Sequence, residues 1–317
     1  FAFDGTGNDE SDPRTLSNVV SFRDSYKDGE YFYITGPGTR DPRSGIENPW
    51  YKGGNILDAA GSLTGKERIS WLIGRLNNYS NSVDDDTAFD IDVTGFSRGA
   101  AQARDFANQV ANNTRGGYYH YHSDDNKQRC QKVNFRFMGL WDTVLSAHVG
   151  SYDLGIAATF SRVSHAVALN EYRSLFPVES IMGDAVPPGQ MRVERGFVGA
   201  HSDIGGSFAD GDLARVALVW MIDQAKAAGV TMKEPDRSIA ANPVLHDKSS
   251  NLQGPDGPAP TTSSEDREIR FRDGRSARQR STTIDGIGYQ DTQPLIRYGT
   301  NPTGIVSGTV DMQAYLD

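Results

Sequence analysis

The sequence predicts an α/β protein with a mostly parallel sheet flanked by helices. Two observations lead to this fold class. Strand-like segments and segments with helical spacing of apolar residues alternate over about the first 230 residues. Because a helix between two strands returns the chain to the same end of the sheet, this alternation is typical of parallel sheets.

Each predicted strand is a short apolar or alternating segment that ends in a polar or glycine-rich loop. Apolar and polar residues alternate most clearly in Phe89–Thr94, and Lys132–Trp141 alternates before an apolar end. The predicted strands are 1–3, Glu30–Ile34, Phe89–Thr94, Lys132–Trp141 and Met191–Val198.

Each predicted helix repeats apolar residues every three or four positions. In Lys66–Tyr79 these residues run from Ile69 to Leu76, and Leu213–Ala228 has a strong amphipathic pattern. The predicted helices are Ser17–Tyr26, Lys66–Tyr79, Ala100–Ala111, Ser161–Tyr172 and Leu213–Ala228.

The composition is that of an ordinary globular chain and argues against several functions. The 317 residues carry a net charge of −9, which disfavours nucleic acid as a partner and adsorption to an anionic bilayer by charge alone. The single cysteine, Cys130, leaves no pair for an internal disulfide. No apolar run approaches the roughly 20 residues that span a bilayer, and no signal peptide is recognisable, although the chain begins inside a predicted strand.

The pentapeptide Gly95-Phe96-Ser97-Arg98-Gly99 is the clearest functional motif. It follows a predicted strand and precedes a predicted helix, which is the context of a nucleophile elbow in α/β hydrolases. Glycines flank the serine because strand and helix approach too closely there for a Cβ atom. The motif predicts Ser97 as a nucleophile and the Arg98 amide, at the helix start, as one donor to an oxyanion.

A serine nucleophile needs a base, and in this fold the acid and then the histidine follow the serine along the chain. His201 is the favoured base because it lies in the glycine-rich segment Gly199–Gly206, directly after a predicted strand. His246 is the alternative. His120 and His122 follow the serine too closely and lie in what we interpret as a polar loop. His148 and His165 are not in a glycine-rich loop at the end of a strand.

Asp142 is the favoured acid because it directly follows the predicted strand Lys132–Trp141, where a carboxylate can orient an imidazole. Asp153 and Asp184 are alternatives without a clear strand before them. Asp203 lies only two residues from His201, so we expect it to brace its own loop.

The opening segment places Asp4-Gly5-Thr6 after a predicted strand. The nucleophile loop of haloacid-dehalogenase phosphatases has the pattern Asp-x-Asp-Gly-Thr, in which the first aspartate is the nucleophile. Asp4 matches the second aspartate, but the nucleophile position is Ala2 here. We therefore interpret this loop as the source of the second oxyanion donor, the Gly5 amide, which α/β hydrolases take from an earlier loop. Asp4 is then expected to anchor the loop.

The composition changes near residue 240. Residues 1–240 are predicted to form the α/β-hydrolase catalytic domain, and residues 241–317 to form a C-terminal extension of loops packed on the same domain. A basic cluster in this extension is interpreted as a solvated loop, with contact to phosphate headgroups as the functional alternative. Its members are Arg267, Arg270, Arg272, Arg275, Arg278 and Arg280.

Seven segments occur in an order that is similar to one family. They are FAFDGTGN (1–8), YITGPGT (33–39), VTGFSRGAAQAR (93–104), GLWDTV (139–144), SHAVALNEYRSLFP (164–177), GAHSDIGGSF (199–208) and DLARVALVWMIDQAKAAGV (212–230). Over about residues 1–230 the chain resembles the α/β-hydrolase domain of type VI secretion phospholipase effectors, of the first lipase-effector group. Residues after about 240 show no pattern of this family.

The resemblance implies a serine hydrolase that cleaves an acyl ester of membrane phospholipids, with Ser97, Asp142 and His201 at the positions of the family's triad. It also implies an antibacterial toxin that is cytoplasmic in the producer and enters a target cell without a signal peptide. A secretion-apparatus component and a cognate immunity protein are its implied partners.

The sequence requires no cofactor. It leaves a calcium requirement open, since the acidic cluster Asp9, Glu10 and Asp12 is interpreted as a solvated turn. Two other functions stay open: an esterase for a soluble or carbohydrate ester, and a catalytically silent hydrolase fold that serves as a binding module.

Overall fold

The structure is a computed structural model. It describes residues 1–39, 65–145, 152–238, 243–246 and 267–278, apart from residues 12, 14, 15, 85, 124, 172, 174, 175 and 210. It also describes the backbone of four short strands between residues 253 and 310. Asp12, His148, Arg280 and the side chain of Arg278, all considered above, lie outside the described residues.

The first 230 residues contain most of the secondary structure. The strands are β1 (Ala2–Phe3), β2 (Tyr33–Ile34), β3 (Phe89–Phe96), β4 (Thr114–Arg115), β5 (Tyr118–His122), β6 (Gln128–Trp141), β7 (Arg162–Ala168), β8 (Val178–Glu179) and β9 (Met191–Phe197). The helices are α1 (Asn18–Ser25), α2 (Gly65–Ser82), α3 (Arg98–Asn112), α4 (His201–Gly205) and α5 (Asp212–Ala227).

The later strands are short. They are β10 (Val244–Leu245), β11 (Gln253–Gly254), β12 (Gly257–Pro258), β13 (Glu268–Arg270), β14 (Ser276–Arg278), β15 (Ile296–Thr300) and β16 (Val306–Val310). One of them joins the earlier part of the chain, because β13 pairs in parallel with β8, with Ile269 opposite Val178. Ile269 is fully buried against Val167 and Val178.

A parallel sheet with the strand order β2-β1-β3-β6-β7-β9 forms the centre of the molecule. The first half of β6 extends beyond this sheet and pairs antiparallel with β5, which in turn pairs with β4. Alternate residues of β6 enter different cores: Met138 and Leu140 pack with α2 and α3, whereas Phe137 and Trp141 pack with α1 and α5. Helices therefore cover both faces, and the predicted fold class is confirmed.

Two predicted elements were wrong. Ser161–Tyr172 is not a helix, because its residues Arg162–Ala168 form β7 between β6 and β9. Nearly all of β7 is buried, since helices cover both faces of the sheet, so it lacks the polar alternation that marks a half-exposed strand. The expected polar loop at Tyr118–His122 is β5, in which Tyr119 and Tyr121 point into the core. The strand expected at Glu30–Ile34 is limited to its last two residues.

The parallel strands bring their carboxyl ends to one edge of the sheet. Asp4 follows β1, Ser97 follows β3, Asp142 follows β6 and the segment Gly199–His201 follows β9. These residues are far apart in sequence, and the topology alone makes them neighbours. Among the described residues, no helix is long and apolar enough to cross a membrane.

Gly99 is the point of closest approach between α3 and β1. A Cβ atom at this position would lie 2.2 Å from the carbonyl oxygen of Asp4 and 2.5 Å from that of Phe3. Backbone atoms cannot yield as a flexible side chain can, so only glycine lets α3 begin this close to β1.

We expect Gly99→Ala to lower the free energy of unfolding by about 1–3 kcal/mol, because the added methyl group would push α3 away from β1. Gly74→Ala is the matched control: Gly74 lies in α2 with open space around it. There the higher helix propensity of alanine should stabilise the fold by roughly 0.5–1 kcal/mol. Urea denaturation measures both changes, and equal stability of the two variants would contradict the steric argument.

Candidate active site

Ser97 occupies the sharp turn between β3 and α3. Its backbone has φ 59° and ψ −128°, a conformation that is strained for a residue with a Cβ atom. The turn is held by a 3.0 Å hydrogen bond from the Ser97 amide to the carbonyl oxygen of Trp141. The predicted elbow context is present, since β3 ends at Phe96 and α3 begins at Arg98.

His201 begins α4 directly beneath this turn. Its Nε2 lies 2.8 Å from Ser97 Oγ, and its Nδ1 lies 2.6 Å from Asp142 Oδ2. The imidazole is packed between the rings of Phe96 and Phe176, with centroid distances of 4.6 and 5.0 Å. Burial lowers the pKa of His201 below its usual value, although Asp142 acts in the opposite direction. A neutral imidazole can accept the serine proton at Nε2 while it donates from Nδ1.

Asp142 is fully buried at the end of β6. Its Oδ1 accepts a 2.9 Å hydrogen bond from the Ala168 amide, and its own amide donates to the Ala166 carbonyl oxygen at 2.7 Å. Burial by itself would raise the pKa of this carboxyl, but the Arg267 guanidinium and then the His201 imidazole hold it well below its usual range. Asp142 is therefore an anion. The structure brings Ser97, His201 and Asp142 into one hydrogen-bonded series.

Arg267 is the partner of Asp142 that sequence reasoning missed. The interpretation of its basic cluster as a solvated loop or headgroup contact is wrong at this residue, because its side chain is fully buried and bonds both carboxylate oxygens. Arg270 is 46% exposed and pairs with Glu179 and Glu268, and Arg275 is 70% exposed and pairs with Asp273. One cluster thus contains one internal cation and several surface cations.

Glu171 was also missed. It follows β7, is fully buried, and accepts a 3.3 Å hydrogen bond from the His201 amide. Arg173 bonds both of its carboxylate oxygens. Burial opposes ionisation, but Arg173 and weaker charges nearby lower the pKa of Glu171 to about 2. Glu171 therefore ties the start of α4 to β7. The false helix prediction concealed the position of Glu171 after a strand.

The other predicted candidates lie elsewhere. Asp203 braces its own loop, as expected, by accepting a 3.0 Å hydrogen bond from the Ala200 amide. It also accepts a 2.7 Å hydrogen bond from His246 Nδ1, so the alternative base is paired away from Ser97. The alternative acids have structural partners, since Asp153 accepts from the Gly155 amide and Asp184 pairs with Arg192. His165, which the sequence did not favour as a base, is buried against Glu194. His120 and His122 lie in β5.

The opening loop lies beside Arg98 but differs from its predicted role in one respect. The Gly5 amide donates a 2.8 Å hydrogen bond to Asp4 Oδ1, so it is engaged within its own loop. Asp4 also accepts a 2.6 Å hydrogen bond from the Tyr33 hydroxyl, and burial raises its pKa to about 6. Asp4 anchors the loop, as expected. The next residue, Thr6, contacts the motif directly, because its Oγ1 accepts a 2.6 Å hydrogen bond from Arg98 Nε.

Within the described ranges, no group of three or more His, Cys, Asp or Glu side chains is arranged to hold a metal ion. In the acidic cluster near the first loop, Glu10 pairs with Arg23, and Asp9 accepts a hydrogen bond from the Ser11 amide.

We expect Glu171→Gln to lower the free energy of unfolding at pH 7 by about 3 kcal/mol, the order of magnitude that linkage assigns to a carboxyl whose pKa falls from 4.5 to about 2 on folding. Because the pKa of Glu171 is lower in the folded than in the unfolded protein, its ionised carboxylate stabilises the fold above pH 4.5. This stabilisation is lost as the pH falls towards about 2. The difference from the parent should therefore shrink to about half near pH 3.

Urea denaturation at both pH values measures this difference. The control is Glu234→Gln, at a side chain that is 70% exposed, where we expect a change within about 0.5 kcal/mol. A difference for Glu171→Gln that is the same at both pH values would contradict the assignment of a buried, ionised carboxylate.

Comparisons with known proteins place part of the chain in context. Residues 107–224 match the family model described as T6SS, phospholipase effector Tle1-like, catalytic domain. This range includes Asp142 and His201 but begins after Ser97. A search of curated proteins found no match.

Two solved structures are similar to this chain. An uncharacterised protein from Pseudomonas aeruginosa matches with a TM-score of 0.52 and 21% identity, over 75% of this chain and 46% of that one. The chain thus spans less than half the length of that protein. The Tle1 effector bound to the VgrG spike of the type 6 secretion system matches with a TM-score of 0.48 and 19% identity, over 74% of this chain and 73% of that one. The family match over residues 107–224 confirms the resemblance to type VI secretion phospholipase effectors of the Tle1-like group.

Proposed function

We propose that the protein is a serine hydrolase that cleaves an acyl ester bond of membrane phospholipids, with Ser97 as nucleophile, His201 as base and Asp142 as orienting acid. The single observation that carries the proposal is the hydrogen-bonded series from Ser97 Oγ through His201 to Asp142. The match to a phospholipase effector family supports the choice of substrate.

In the first half of the proposed reaction, His201 Nε2 takes the hydroxyl proton as Ser97 Oγ attacks the ester carbonyl carbon. The imidazolium that forms is stabilised by the anionic Asp142. The tetrahedral intermediate then collapses, and the carbon–oxygen bond to the lysophospholipid breaks. His201 returns the proton to this leaving alcohol, and the fatty acyl group stays on Ser97.

In the second half, water replaces the alcohol. His201 removes a proton from the water as its oxygen attacks the acyl carbon, and collapse of the second intermediate releases the fatty acid. The proton goes to Ser97 Oγ, so both residues return to their starting states.

Two backbone amides are proposed to hold the oxyanion. One is that of Arg98 at the start of α3, where the helix dipole also favours negative charge. The second is proposed to be the amide of Thr6 rather than that of Gly5, because the Gly5 amide already donates a hydrogen bond to Asp4. Within the described ranges the Thr6 amide has no acceptor, and its side chain is already fixed to Arg98.

The biological setting is proposed from the family match alone. A Tle1-like effector is a toxin that a type VI apparatus delivers to a neighbouring cell. Its partners would be a component of that apparatus and an immunity protein in the producer. Mixed culture of a susceptible competitor with a strain that produces either the parent or Ser97→Ala tests this part separately from the chemistry. The measurement is the survival of the competitor.

We expect Ser97→Ala to abolish turnover, with a loss of about 10³–10⁶ in kcat, because no other group replaces the nucleophile. Products from mixed phospholipid vesicles should be free fatty acid and lysophospholipid for the parent only, as measured by mass spectrometry. A fluorophosphonate serine probe should label the parent and not the variant. The control is Ser70→Ala on the exposed face of α2, which should keep full activity. Full activity of Ser97→Ala would reject the mechanism.

The substrate class has its own test. A phospholipase acts at a lipid surface, so we expect the rate to rise when the same phospholipid is presented in vesicles or micelles rather than as dispersed monomers. Hydrolysis of soluble esters by a probe-reactive protein, without lipid products, would favour the esterase alternative. Failure of the parent to react with the serine probe would favour a binding module.

A further inference from the structure

Arg267 contributes a buried cation to the candidate site from the C-terminal part of the chain. Its two terminal nitrogens each lie 2.9 Å from an oxygen of Asp142, Nη1 from Oδ1 and Nη2 from Oδ2. The guanidinium also donates to the carbonyl oxygens of Phe176 and Ala168. These contacts fix it at both ends, so it is not a mobile surface arginine that approaches the acid by chance.

The contacts determine the plane of the Asp142 carboxylate. Oδ1 accepts from the Ala168 amide and from Arg267, and Oδ2 accepts from His201 and from Arg267. A rotation of the carboxylate about its Cβ–Cγ bond would break the paired contacts to the planar guanidinium, which matches only one orientation. Oδ2 is thereby kept directed at the imidazole.

The charge of Arg267 acts on the imidazole through the same carboxylate. Arginine stays protonated in proteins, so it offsets part of the Asp142 charge that the imidazolium would otherwise experience. The other charges around His201 are Glu171 at its amide, Arg173 beside Glu171, and Asp203 of the same helix, which bonds His246. Removal of Arg267 would leave the carboxylate charge without this offset and favour the protonated imidazole.

We propose that Arg267 is a positioning residue for the hydrolytic reaction, which keeps the Asp142 carboxylate in the plane that orients His201. The inference rests on the proposed function of Ser97, His201 and Asp142. It extends the catalytic machinery to Arg267 alone, which directly precedes the strand β13 that pairs with β8.

The test uses Arg267→Gln and Arg267→Lys, with Arg270→Gln on the same strand as the matched control. We expect Arg267→Gln to lower kcat about 10–100-fold with KM nearly unchanged, since the Arg267 side chain is fully buried. The acid limb of its kcat/KM profile should move up by about one pH unit, because the base must be deprotonated to act. Arg267→Lys keeps the charge without the planar fork, so its kcat should fall while the acid limb stays near that of the parent.

A soluble nitrophenyl ester and phospholipid vesicles serve as substrates, and circular dichroism follows the fold. The positioning role is overturned if folded Arg267→Gln has the kcat and pH profile of Arg270→Gln. It is also overturned if neither Arg267 variant folds, because the ion pair would then serve stability alone. Failure of the proposed function is a separate result, since it would appear as a parent protein that does not react with the fluorophosphonate probe.

Discussion

The buried negative charge of Asp142 is the interaction on which the rest of the site depends. An ionised carboxylate with no exposure to water is unfavourable unless hydrogen bonds and an opposite charge compensate it. Here the compensation comes from the Ala168 amide at the end of β7, from His201 in α4, and from Arg267 beside β13. One charge therefore holds together three segments that are distant in sequence.

A steric constraint acts alongside this charge. Because Gly99 lets α3 begin against the carbonyl oxygens of β1, the loop after β1 lies next to the serine turn. The contact between Thr6 and Arg98 follows from that approach. The strand order has the same effect on a larger scale, since β1 and β6 pair on either side of β3 and place their carboxyl ends beside Ser97.

Local rules were sufficient to predict some of these features and not others. Ser97, Asp142 and His201 each follow a recognisable strand, so position after a strand identified them. Glu171 also follows a strand, but β7 is buried on both faces and its apolar residues do not alternate with polar ones. Arg267 has no local signal, because its meaning comes from a contact across 125 residues. The hydrogen bond from the Gly5 amide to Asp4 depends on the direction of the Asp4 side chain, which the spacing of residues in the sequence does not predict.

The distance in sequence between Asp142 and Arg267 has a consequence for how the protein is made. A ribosome delivers the serine first, then the acid, then the histidine, and the compensating arginine last. Until residue 267 has emerged, a folded amino-terminal portion would have to bury a carboxylate without its cation, and water competes for such a charge. Chains that stop before residue 267 are therefore disfavoured in the ordered arrangement, so the order of synthesis delays the hydrogen-bonded series from Ser97 to Asp142 until Arg267 is present.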